Sequence, residues 1–149
     1  MYNIDEIMDM LDCNNSMEIQ EKGIELAKNV KCINVFMLPK HPGCNKNVWK
    51  NCAKVLADKT DKILNPYLIK ILEWIEDLNR PGALIIADRL KKFYDTEMLS
   101  FAVKESIKIA SATDNHIWLE NLSELLDNEK LKEKLPEDVL KILKNYYYK

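Results

Sequence analysis

The chain has 149 residues, enough for one domain with a buried core. Its 47% apolar and 31% charged content is that of an ordered globular protein, which excludes disorder. Its 22 basic and 24 acidic residues are interleaved, giving a net charge of −2 and no basic stripe, so nucleic acid is not expected as a partner.

No apolar run approaches the roughly 20 residues of a membrane span. The acidic start M-Y-N-I-D-E-I lacks the charged-then-apolar pattern of a leader. A membrane partner is therefore not expected, and the cytoplasm is the expected location. With three Gly and five Pro, turns are few and helices are favoured throughout.

In chain order, Asn3 is placed to cap a short first helix with Ile4, Ile7, Met8 and Leu11 on its apolar edge. After a turn at 12–15, Ser16 is a good cap for a second helix, with Glu18 in its first turn where the helix dipole favours negative charge. Ile19, Gly23, Leu26, Ala27 and Val30 form its expected buried face, and Gly23 would permit a close helix crossing. Residues 31–45 are irregular: Ile33 to Leu38 is an apolar run too short for its own helix, read as extended or as a single turn. Pro39 and Pro42 then flank His41 in a stiff loop.

From Lys46 the periodicity is cleaner. Val48, Trp49, Cys52, Ala53, Val55 and Leu56 define a helix, and Thr60 caps a single turn through Leu64. A helix over 67–76 carries Leu68, Ile71, Leu72 and Ile75 on one face and Trp74 on its edge. Asp77-Leu78-Asn79-Arg80 makes a corner, and Pro81 suits the first turn of the next helix because its missing N–H costs nothing there. That helix, over 81–93, has Leu84, Ile85, Ala87 and Leu90 as its expected stripe. Another follows over 97–112, with Leu99, Ala102, Val103, Ser106, Ile107 and Ala110 inside. Thr113-Asp114-Asn115 forms a second corner. Ile117, Trp118, Asn121, Leu122, Leu125 and Leu126 then mark a helix, Leu131 and Leu135 a short turn, and Pro136 opens a last helix with Val139, Leu140, Ile142 and Leu143 inside.

The chain also resembles itself. Val48, Trp49, Leu56 and Asp58 correspond to Ile117, Trp118, Leu125 and Asp127, and the two corners carry similar acid–amide groups. A period in the middle thirties with two helices per period is that of stacked helical hairpins. The expected fold is all-α, a HEAT-like stack of antiparallel helix pairs with about eight helices, in units 3–30, 46–77, 81–112 and 115–147 of a single domain.

The corner carries a resemblance of its own. The stretch N-P-Y-L-I-K-I-L-E-W-I-E-D-L-N-R-P-G-A, with Trp74, Asp77, Asn79 and Pro81 in a W-x-x-D-x-N-x-P pattern, resembles a family of small bacterial domains of unknown function. L-P-K-H at 38–41 is similar to a stretch upstream of that corner, and Arg80 departs from the family's usual second tryptophan. Proteins of this HEAT-like sort are often encoded beside bacterial toxins, and the resemblance implies a neutralising binding protein.

Catalytic signatures are missing. There is no Walker loop, dinucleotide-binding glycine pattern, serine elbow or H-E-x-x-H. Cys32, His41, Cys44 and Cys52 could be read as a zinc set but include no tight C-x2-C pair. Neither metal nor cofactor is expected. The thiols are read as reduced, small buried hydrophobes plus one in a loop. Asp77 and Asn79 are expected to cap the helix from Pro81, and Asp114 with His116 has the look of a general-base pair without a nucleophile. The function expected is protein binding without catalysis, by an immunity protein that neutralises a cognate bacterial toxin by occlusion. Trp74, Asp77, Arg80, Asp114, His116 and Glu120 are its candidate partner-binding residues. The alternatives are a peptide-binding scaffold or adaptor, and a small-ligand protein or enzyme using His116, His41 and nearby acids.

Overall fold

The computed structural model describes residues 2–38 and 44–147, and among them the fold is all-α. The α-helices are α1 (Ile4–Met10), α2 (Met17–Ala27), α3 (Trp49–Ala57), α4 (Asp61–Leu64), α5 (Leu68–Glu73), α6 (Ala83–Lys91), α7 (Thr96–Ala112), α8 (His116–Ser123), α9 (Glu129–Lys134) and α10 (Glu137–Tyr147). Tighter 3-10 turns join several of them, over Ile33–Phe36, Trp74–Glu76 and Glu124–Asp127 among others. No helix among the described residues is long and apolar enough to cross a membrane.

Local chemistry sets several boundaries as expected. The side chains of Asn3, Ser16, Thr60 and Asn115 accept hydrogen bonds from the backbone N–H groups of Glu6, Ile19, Ile63 and Trp118, which have no partner inside their own first turns. The helix at the first corner differs. It starts at Ala83, behind Gly82, so Pro81 precedes it and does not occupy its first turn. Asp77 and Asn79 do not cap it: the Asp77 carboxylate accepts from the Asn79 N–H at 2.9 Å, closing a local turn. Gly82 adopts φ +86°, where a Cβ would be strained and would also lie 2.6 Å from the Ala53 Cβ. Glycine is what lets the corner press onto α3.

The core runs the length of the chain. The residues expected inside α3 are buried, and so is Asn51, which the apolar pattern does not include; the expected inner face of α7 is buried together with Thr96. Trp74 is 0% exposed, not an edge residue, and its indole N–H donates to the Pro81 carbonyl at 3.0 Å. Other side chains are displaced from their expected faces. Leu84 is 62% exposed while Ala83 and Ile86 are buried in its place; Ile117 is 66% exposed; Ile19 and Ile142 are also exposed. Leu131, expected on a turn, is buried on the helix α9. Gly23 does serve a close approach: a Cβ there would lie 2.8 Å from the Met10 Cβ, so α1 and α2 touch backbone to side chain.

The hairpin α1–α2 closes on itself. Farther along, α3 lies on α6, α5 on α7 and α8 on α7, each pair drawn from different expected units, while α8 also packs on α10 within the last one. The polar ends of the helices follow the same logic. Asn51 donates to the Leu11 carbonyl at 2.7 Å, just past the end of α1. Arg89 donates to the carbonyls of Ala57 and Lys59 at the end of α3. Trp118 and Asn121 donate to Leu72 and Ile75, and Asn128 to Leu90 and Phe93 at 3.0 Å each. The last carbonyls of a helix have no partner within it, and here a buried or half-buried side chain from later in the chain clips them.

Candidate functional site

The six candidate residues fall into two groups. Around the first corner, Trp74 is wholly covered and has no surface to offer a partner. Asp77 is exposed and engaged in its local turn. Arg80 is half-buried, and its Nη1 donates to the Glu73 carbonyl at 2.7 Å, so its guanidinium is held against the end of α5. Around the second corner, Asp114 is exposed in the left-handed region at φ +52°, which aspartate tolerates better than most residues. His116 and Glu120 follow one turn apart on the outer side of α8, both exposed.

His116 does not pair with Asp114. Its Nδ1 shares a 2.8 Å hydrogen bond with the Tyr146 hydroxyl of α10. This ties the start of α8 to the end of the last helix. Glu120 lines a shallow depression of about 250 Å³ with Ser123, Glu124, Asp127, Tyr146 and Tyr147. The Tyr147 hydroxyl donates to Asp127 Oδ1 at 2.6 Å, and Lys91 Nζ lies 3.4 Å from Asp127 Oδ2. The Tyr147 bond holds the Asp127 carboxyl below its ordinary value; burial opposes this, and the Lys91 charge reinforces it. Asp127 thus stays ionised at neutral pH, and the two tyrosine rings are held by their hydroxyls, Tyr147 on Asp127 and Tyr146 on His116.

Glu124, Asp127, Tyr146 and Tyr147 complete a surface of which the six candidate residues include His116 and Glu120. One signal was available. Glu120 and Glu124 are four positions apart, and a like-charge pair at that spacing is unfavourable by a few tenths of a kcal/mol (about 0.2–0.5), with no structural return. Tyr148 and His41 lie outside the described residues.

Among the described residues no three of the His, Cys, Asp and Glu side chains gather as a metal site. Cys52 is buried on α3, whereas Cys13 and Cys32 are exposed and Cys44 is half-buried, so the thiols are less buried than expected. Burial, with a smaller contribution from Cys13, pushes the Cys52 thiol up to about 12. No protein-family model, curated protein or solved structure matches the chain.

Proposed function

We propose that this chain is a non-catalytic protein-binding domain, a bacterial immunity protein of HEAT-like build that works in the cytoplasm and neutralises a cognate toxin by occluding it. The observation that carries this reading is the α8–α10 face. Three carboxylates, Glu120, Glu124 and Asp127, surround two tyrosines in one depression. Tyrosines already held in place lose little rotamer freedom on binding, which is why they serve well as interface anchors. The carboxylates attract a basic partner locally, although a net charge of −2 gives the molecule as a whole only a weak field. Occlusion needs a rigid, complementary surface and no reacting group.

Co-expression with the product of the adjacent reading frame tests the reading. A stable complex and loss of the neighbour's toxicity are expected, with both weakened by the double change Glu120→Lys/Glu124→Lys. A neighbour that is not toxic, with no complex recovered, would remove the immunity assignment. A complex indifferent to the charge reversal would move the interface elsewhere on the molecule.

A further inference from the structure

The first corner opens onto a cleft of about 430 Å³ beside α3 and α6, well apart in sequence from the α8–α10 face. Lys50, Leu78, Asn79, Arg80, Leu84 and Ile85 line it, and Gly82, which brings no side chain, leaves it open. The donors gather without acceptors. Arg80 is fixed by one N–H on the Glu73 carbonyl, and a guanidinium has five such donors. Among the described residues, its remaining donors, the Lys50 ammonium and the Asn79 side-chain amide have no hydrogen-bond or ion-pair partner. Among the described residues no carboxylate lines the cleft. The nearest along the chain, Asp77, is turned onto the Asn79 N–H. With these donors, Leu78, Ile85 and the exposed Leu84 give the cleft its apolar lining.

We propose that this cleft docks an extended peptide segment of a partner protein, one presenting a carboxylate beside a branched apolar side chain. The carboxylate would take the open edge of Arg80, with Lys50 and Asn79 on its flanks, in charge-assisted hydrogen bonds. The apolar side chain would cover Leu84 and Ile85. Each simpler occupant leaves one half of the cleft unsatisfied. A small organic anion leaves the leucine wall in water, and a purely apolar helix strands two cations against hydrocarbon. The proposal does not depend on the α8–α10 face.

A phage-displayed random heptapeptide library, selected on the whole chain and counter-selected on Lys50→Gln/Arg80→Gln, tests it. Enriched peptides should carry Asp or Glu next to Leu, Ile or Val. A synthetic version should shift the amide resonances of Arg80, Gly82, Leu84 and Ile85 saturably, and its Glu→Gln analogue should bind about tenfold more weakly, the equivalent of one charge-assisted hydrogen bond. Because Arg80 also supports the end of α5, Leu84→Ser serves as a second variant that leaves that bond intact, and it should weaken binding comparably. No enrichment, enrichment without an acidic residue, or shifts confined to α8 and α10 would each overturn the proposal. So would self-association of the chain that Leu84→Ser abolishes, which would give the cleft to a second copy.

Discussion

Asn51, in the middle of α3, donates its side-chain amide to the Leu11 carbonyl at 2.7 Å, across forty positions of the chain. The same amide reaches Gln20 Oε1 at 3.0 Å, so one buried side chain joins α1, α2 and α3. Asn51→Ala removes both bonds and leaves the Leu11 carbonyl buried without a donor. The expected cost is about 1–3 kcal/mol, the usual penalty for an orphaned buried group. Urea unfolding measures it, and amide exchange should quicken first in α1 and α2.

Gly82 is the more sensitive of the two glycines at close contacts. Gly82→Ala meets two obstacles, the left-handed backbone at φ +86° and the Ala53 side chain 2.6 Å away. Left-handed backbone costs an alanine about 1–2 kcal/mol, and overpacking costs roughly 1–3 kcal/mol. Gly23→Ala meets only the second obstacle, at 2.8 Å from Met10. Thermal unfolding should therefore rank Gly82→Ala below Gly23→Ala, and both below wild type.

Helix starts were readable because their cause is local. Asn3, Ser16 and Thr60 each cap a turn within three residues of themselves. The inner face of α7 was equally readable, since a 17-residue helix gives its periodicity room to declare itself. The corner was not. Trp74 sits at the edge of a helical wheel, but α5 ends at Glu73 and tightens into a 3-10 turn that rotates the tryptophan inward. The apolar pattern puts Leu84 inside on a helix that begins at Pro81, whereas the helix starts at Ala83 and Leu84 faces outward. Of the residues that the sequence aligns between 48–58 and 117–127, Trp49 and Trp118 are both buried, yet Val48 is buried where Ile117 is exposed. Of the candidate site, the local pair His116 and Glu120 could be seen, but the tyrosines that complete it come from α10, which no local pattern connects to α8.

Asp61 links acid stability to a single side chain. Its Oδ1 meets Arg89 Nη2 at 2.6 Å, and its Oδ2 accepts from the N–H groups of Tyr94 and Asp95. Burial acts to raise its pKa, and the Asp95, Arg89 and Tyr94 donors together outweigh it, so the folded carboxyl titrates below the ordinary 3.8. The folded state then binds the proton less readily than the unfolded chain. The stabilisation is complete above the ordinary value and is lost as pH falls through the folded one. Asp61→Asn should cost about 1–3 kcal/mol at neutral pH. The gap from wild type should narrow below about pH 4, as measured by unfolding at a series of pH values.

Thiol chemistry should separate the cysteines. With its pKa raised to about 12, Cys52 holds almost no thiolate at pH 8, and it is buried as well. A colorimetric disulfide reagent should label Cys13 and Cys32 in the native protein, Cys44 more slowly, and Cys52 only in denaturant. Rapid native labelling of Cys52 would mean that α3 opens readily.

Binding through the α8–α10 face should depend on salt. If Glu120 and Glu124 steer the partner, raising ionic strength slows association more than dissociation. Glu120→Gln/Glu124→Gln should flatten that dependence while leaving the melting temperature unchanged, since both side chains are exposed. Stopped-flow mixing with the copurified partner reads both rates.

The clips that close the helix ends all point the same way along the chain. Asn51 serves Leu11, Arg89 serves Ala57 and Lys59, Trp118 and Asn121 serve Leu72 and Ile75, and Asn128 serves Leu90 and Phe93. In every case the donor is made after the acceptor. A growing polypeptide therefore leaves these helix ends without their clips until a further 30 to 46 residues have emerged. A ribosome stalled after Leu119 would release a chain whose α6 still lacks its clasp, and the fault would lie a full unit upstream of the break.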